Sequence, residues 1–249
     1  MRNVATIASR EFRRFFVSPE AYAVAAVFLL ILGGIFFLNV YYGLQTGQVE
    51  PDGRTVLNPL VTILLFATPA ITMRLLADEQ RMGTIELLLT APIRDWELVV
   101  GKWLGAMGFM LLLLGVTWVY PIIMNGMTQV VGQETGGIDQ GVLVSAYLGL
   151  ILMTGALLAI GVFVSSLFRS PVAAFFVTLG VLLGMWILGG FGSGAGTGAE
   201  IIRYLSLVNH YYDNMYRGVL VVSDMLFYLS LTALALFLGS QVIEARRWR

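Results

Sequence analysis

The sequence predicts an all-α membrane protein with six transmembrane helices and an amphipathic helix in front of them. Three observations carry this. Of 249 residues, 58% are apolar and 12% charged, against roughly 25% charged in a soluble domain, too few to wrap a soluble core. The mean hydropathy is +0.83. Six apolar runs are each long enough to cross a bilayer, which takes about 20 helical residues. The whole chain, 1–249, reads as one membrane domain.

Residues 1–17 come first. Val4, Ile7, Ala8, Phe12, Phe15 and Phe16 recur at helical spacing on one face, with Arg2, Asn3, Thr6, Arg10 and Arg13 opposite. No continuous apolar core is present, so this is not a signal peptide. It predicts a helix lying in the membrane interface with its basic side wet. Ser18-Pro19 supplies a cap and a proline at a first helical position. The spans follow at about 21–42, 57–77, 99–124, 142–167, 171–191 and 221–243. Arg74, Lys102 and Asp224 enter these runs near their ends, where side chains snorkel to water. Pro69 is either a kink that opens a backbone carbonyl to a pathway or a packed kink without that role. Small residues mark where helices meet, within or between subunits: the pairs Gly101/Gly105 and Gly180/Gly184, and Gly155, Ala159 and Gly161.

Alternate connections collect twelve of the fifteen basic residues. These are Arg2, Arg10, Arg13, Arg14, Arg74, Arg81, Arg94, Lys102, Arg169, Arg246, Arg247 and Arg249. Arg54, Arg203 and Arg217 fall on the other side. The positive-inside rule then predicts both termini in the cytoplasm. Outside, the glycines from 189 to 198 read as a flexible turn, because no G-K-[ST] follows to make a phosphate cradle. Ile201, Ile202, Leu205, Val208 and Tyr212 predict a short amphipathic helix at the outer interface, anchored by Tyr211 and Tyr216. His210 sits in it and reads as interfacial packing. Inside, the connection 74–102 holds nine of the thirty charges. Thr84 after Gly83 is expected to cap a short helix to Thr90, which Pro92 ends, and Asp95 to cap the next helix. That short helix carries Ile85, Leu87, Leu88 and Leu89. It is too short to be stable alone, so the membrane or a protein partner must cover it.

The chain has no cysteine and one histidine, which excludes disulfides, thiolate metal sites, cysteine nucleophiles and histidine-rich metal sites. A Ser–His dyad would need Ser206 or Ser193 beside His210. No catalytic, metal or cofactor-binding residue is expected, and nothing points to nucleic acid. There is no G-x-x-x-x-G-K-[ST], nor the buried carboxylates expected of an ion-coupled transporter. A transport protein of this kind takes its energy from a partner.

Met73-Arg74, Glu79, Gly83-Thr84, Glu86-Leu87-Leu88, Pro92 and Gly101-Lys102 resemble the ABC-2 class of ABC transporter permeases. More narrowly, the chain resembles the gliding-motility-associated permease subfamily, which also occurs in bacteria that do not glide. That likeness rests on Ser18-Pro19, on Gly137-Ile138-Asp139 through Ala159-Ile160-Gly161 to Ser165-Ser166-Leu167, and on Asn209-His210-Tyr211 to Arg217-Gly218. The resemblance covers essentially the whole chain. It implies an ABC-2 exporter-like fold in a bacterial inner membrane, an elbow helix carried by Phe12, Arg13, Phe15 and Phe16, and a coupling helix that docks on an ATPase. The coupling role maps onto Glu79, Arg81, Gly83, Thr84, Glu86, Leu87, Leu88 and Pro92. Implied partners are two copies of an ATP-binding subunit, which binds the ATP, a second permease, the same or homologous, and an extracytoplasmic auxiliary subunit. The alternative is a membrane scaffold in such a complex that transports nothing. Asn39, Thr62, Thr68, Thr117, Thr154 and Thr178 in the helix middles suit an amphiphilic or weakly polar cargo.

Overall fold

Within a bilayer the backbone must satisfy its own polar groups, so long apolar runs fold as helices. A computed structural model of the chain describes residues 2–46, 56–85, 93–130, 139–191, 204 and 206–247. Among these there are ten α-helices and no strand. They are α1 (Arg2–Val17), α2 (Pro19–Thr46), α3 (Leu57–Thr72), α4 (Ala77–Arg81), α5 (Asp95–Thr117), α6 (Val119–Val130), α7 (Gln140–Leu167), α8 (Pro171–Phe191), α9 (Leu207–Asp213) and α10 (Val222–Arg247). Six stretches are long and apolar enough to cross a membrane: Pro19–Gln45, Leu57–Arg81, Asp95–Gly126, Gln140–Leu167, Pro171–Gly189 and Val222–Arg246. The expected all-α membrane fold is therefore present. Residues 86–92 and 192–203 lie outside the described residues, and with them the rest of the predicted coupling helix, most of the glycine-rich turn, Ser193, Ile201 and Ile202; so does Leu205.

Two spans are interrupted, each near a proline. The third breaks at Trp118, because Pro121 has no N–H to give to the Thr117 carbonyl. The second breaks at Thr72 and resumes as α4. Pro69, which precedes that break, is buried in α3. Beside it the hydroxyls of Thr68 and Thr72 donate back to the carbonyls of Leu64 and Thr68 at 2.7 and 2.9 Å.

The bundle is built around α7. Of its most apolar stretch 78% is buried within the chain, against 11% for α2 and 17% for α8. α7 packs against α3, α5, α8 and α10, and small residues make that possible. A Cβ on Gly161 would meet Cβ of Thr72 at 2.7 Å. At Gly155 the backbone carbonyl accepts a hydrogen bond from Trp103 Nε1 at 2.9 Å. By contrast, a Cβ on Gly180 or Gly184 meets nothing within 4 Å. Among the described residues that GxxxG pair joins no second helix, and its face of α8 is exposed. Glycine spacing records a flat surface and not its partner.

At the end of the bundle away from the N-terminal helix, Ser206 caps α9, its hydroxyl accepting from the Asn209 N–H at 3.4 Å. Tyr211 is fully buried, so it anchors α9 to the bundle interior and not to the interface as expected. Asp224 does not snorkel. It is buried, and its carboxylate bonds His210 Nδ1 at 2.8 Å and Asn214 Nδ2 at 2.8 Å. The other ring nitrogen of His210 meets the Tyr204 carbonyl at 2.9 Å. The Ser206 hydroxyl and His210 thus have separate partners, and no Ser206–His210 hydrogen bond is formed.

Candidate coupling site

The other end of the bundle carries most of the basic residues, and there the chain gathers its buried charge. α1 and α5 lie side by side and run in the same direction. The register is constant: Asn3 Nδ2 donates to Glu97 Oε2 at 3.1 Å, 94 residues away, and the same offset pairs Ile7 with Gly101 and Glu11 with Gly105, and Phe15 with Phe109. Glycines make the contact. A Cβ on Gly101 would meet Ile7 Cβ at 2.8 Å, and one on Gly105 would meet Glu11 Cβ at 2.6 Å and the Ala8 carbonyl at 3.1 Å. Phe15 stacks on Phe109 with ring centroids 4.9 Å apart. The predicted amphipathic helix exists, but much of its apolar face is covered by α5 and not by the interface alone. Phe12 and Phe15 pack against the core. Phe16 and Arg13 are exposed.

Glu11 lies on that covered face, where its charge needs a partner. The partner is Lys102, the chain's only lysine. Lys102 is fully buried and does not snorkel as expected. Its Nζ donates to Glu11 Oε1 at 2.9 Å and to Glu79 Oε1 at 2.7 Å. Glu11 and Glu79 are 1% and 6% exposed. Arg10 approaches the two carboxylates at 3.4 and 3.9 Å, and Arg14 approaches Glu11 at 3.8 Å. Burial pushes the Glu11 carboxyl up, but the Lys102 ammonium, its hydrogen bond and the two arginines outweigh this and hold it below its ordinary value. Buried carboxylates are therefore present, contrary to expectation, and they sit in an ion cluster joining three segments.

A second set of bonds fixes the start of the 73–85 segment. The hydroxyl of Ser165, near the end of α7, accepts from the N–H groups of Leu76 and Ala77 at 3.1 Å each and donates to the Met73 carbonyl at 3.2 Å. Gln80 Nε2 donates to the Ser166 carbonyl at 2.7 Å. Arg246 of α10 donates to the carbonyls of Ser166 and Leu167 at 3.1 Å each. The break after Thr72 leaves backbone groups that a helix would have satisfied, and Ser165 satisfies them.

The sequence-predicted coupling residues separate into two groups. Glu79 points inward, into the ion cluster. Arg81 and Gly83 are exposed, and Gly83 turns the chain with φ of +72°, a conformation glycine adopts without steric cost. Thr84 donates its hydroxyl to the Glu79 carbonyl at 3.3 Å. Glu86, Leu87, Leu88 and Pro92 lie outside the described residues. At α5, Arg94 is the cap residue and Asp95 the first helical one. Glu97 accepts from the Arg94 N–H at 3.0 Å, so the start falls one residue earlier than expected.

Lys102, Glu11, Ser165 and Arg246 carry this site, and sequence reasoning gave none of them a role here. For Glu11 a signal existed: an acid on the apolar face of a basic helix, midway between Ile7 and Phe15.

A family model described as ABC-2 family transporter protein matches residues 5–247. A search of curated proteins found no match to this chain.

Proposed function

Since the chain belongs to the ABC-2 transporter family, whose permeases generally work with ATP-binding subunits, we propose that it is the membrane-spanning permease subunit of an ATP-driven exporter. In this reading two copies of a separate ATP-binding subunit dock on the segment from Glu79 to Pro92. A second permease, the same or homologous, completes the pathway. The gliding-motility-associated subfamily is the narrower assignment we favour. Twelve of the fifteen basic residues fall in alternate connections, which supports both termini in the cytoplasm, and in this reading the membrane is a bacterial inner membrane.

The observation that carries the reading is the bonding behind the docking segment. Arg81 and Gly83 are exposed, while the residues just before them are tied to α1, α5 and α7 through Glu79, Lys102, Glu11, Gln80 and Ser165, and Arg246 of α10 bonds the same end of α7. A force applied at the surface then acts on several helices together. Coupling in physical terms is a difference in docking energy between two arrangements of the spans.

The test is co-purification of a co-expressed ATP-binding subunit with the permease. Arg81→Glu and Gly83→Pro are expected to abolish it while the permease elutes as the wild type does. Retained association in both variants overturns the docking assignment. Glu79→Arg is unsuitable, because it disrupts the ion cluster. Association without ATP-dependent transport in reconstituted vesicles would favour the scaffold reading.

A further inference from the structure

We propose that the chain binds a membrane phospholipid in a defined site between α1, α2 and α3, at the basic end. Two cavities lie side by side there. The first, about 100 Å³, lies between α1, the start of α2 and the end of α3, and Arg14, Glu20 and Arg74 line it. The second is a groove of about 480 Å³ between α2 and α3, lined by Val24, Val27, Ile31, Ile63, Phe66 and Ala70 among others. Val24 and Ala70 line both, so the charged cavity and the apolar groove are immediate neighbours.

The shape is that of an amphiphile. The groove extends from Ala23 to Ile31 along α2 and from Ala70 to Thr62 along α3. Eight residues at 1.5 Å each give about 12 Å, most of the roughly 15 Å depth of one leaflet's hydrocarbon. Its volume falls within the roughly 300–1,000 Å³ of small-molecule sites. Val27, Ile31 and Phe66 are about half exposed to it, so an acyl chain would cover apolar surface that the protein leaves open.

At the head, Arg14 and Arg74 are each about half exposed. Arg74 pairs with Glu20 and approaches Asp78 at 3.8 Å, and a guanidinium keeps further donors after one such pair. Among the described residues the Arg14 side chain makes the 3.8 Å approach to Glu11, too long for a hydrogen bond. Two guanidinium groups with spare donors suit a phosphodiester. Glu11 is itself engaged by Lys102 and so does not repel the phosphate with a full charge. The phosphate would rest on Arg14 and Arg74, with one acyl chain in the groove.

The test uses the full chain, purified in detergent, delipidated, and titrated with palmitoyl-oleoyl phosphatidylethanolamine under native mass spectrometry. One lipid should bind saturably per chain. Arg14→Gln/Arg74→Gln and Ala70→Phe should each weaken it by roughly tenfold or more, about 1.4 kcal/mol. Arg13→Gln, an exposed cation on the same helix, should leave it unchanged. Glycerophosphoethanolamine, the same head without chains, should not displace the lipid. If Ala70→Phe does not fold, Val27→Trp fills the groove from an exposed position. Graded binding with no saturation, equal loss in Arg13→Gln, displacement by the chainless head, or no effect of filling the groove overturns the proposal. A changed oligomeric state on filling the groove also overturns it, because the occupant would then be a second permease.

Discussion

Replacing Lys102 with methionine keeps the bulk of the side chain and removes one charge. Two buried carboxylates then face each other. Each accepts from the same nitrogen at no more than 2.9 Å, so their bonding oxygens lie at most about 6 Å apart. At an effective dielectric of about 20, two charges at that distance repel by about 3 kcal/mol. The alternative is to protonate one of them. Taking a group of ordinary pKa 4.5 to its neutral form at pH 7 costs about 3 kcal/mol as well. Both routes give the same loss, at the lower edge of the roughly 3–5 kcal/mol for stripping one partner from a buried pair. The assay is equilibrium unfolding in mixed detergent–SDS micelles at pH 7, comparing wild type, Lys102→Met, and Lys102→Met/Glu11→Gln/Glu79→Gln. The single variant should lose about 3 kcal/mol, and the triple variant should regain most of it, because the stranded charges are gone. If Lys102→Met lies within about 0.5 kcal/mol of wild type, or the triple variant is no better than the single, the cluster does not act as described.

Further predictions concern the contacts around it. Gly105→Ala should destabilise by about 1–3 kcal/mol, since its Cβ would meet Glu11 and the Ala8 carbonyl. Gly180→Ala, facing open space, should be neutral or gain up to about 1 kcal/mol from helix propensity; the same unfolding assay compares them. Ser165→Ala leaves the Leu76 and Ala77 N–H groups without their acceptor, a loss of about 1–3 kcal/mol, and hydrogen exchange should rise at residues 76–80 before it rises in α7. The Glu11 carboxyl, held below its ordinary 4.5 in the folded chain, adds stability above pH 4.5 that disappears as the pH falls through the folded value. Hydrogen exchange in α1 should therefore rise below about pH 4.5 in the wild type, and this acid-dependent increase should be reduced in Glu11→Gln.

The six spans were legible because bilayer crossing demands long apolar runs, and hydropathy reports those directly. The N-terminal helix was legible for its period of apolar residues, yet what covers it was not. A glycine stripe on α5 and the phenylalanine of position 109 do so, and nothing local to residues 2–17 points that far along the chain. Lys102 shows the same limit. A lysine close to the end of an apolar run satisfies the snorkelling rule equally well whether its head meets water or two carboxylates. The difference lies in Glu11 and Glu79, 91 and 23 residues away in sequence. Gly101/Gly105 and Gly180/Gly184 are identical as motifs and opposite in use: one is filled by α1, and the other is open among the described residues. Trp118 is the reverse case: Pro121 announces the break through the missing donor alone, but hydropathy does not register a missing donor, and by hydropathy the run is unbroken.

The constant offset between α1 and α5 has a consequence for biogenesis. During synthesis α1 precedes its binding surface by about ninety residues, so it must wait while two further spans and the first turns of a third, α2 through the start of α5, emerge. Until then Ile7, Phe12 and Phe15 lack the cover that α5 gives, and Glu11 lacks Lys102. α1 is thus made before the surface that seats it. A variant that slows insertion of the third span should leave its N-terminal helix open to proteolysis, while α2 and α3 are already protected.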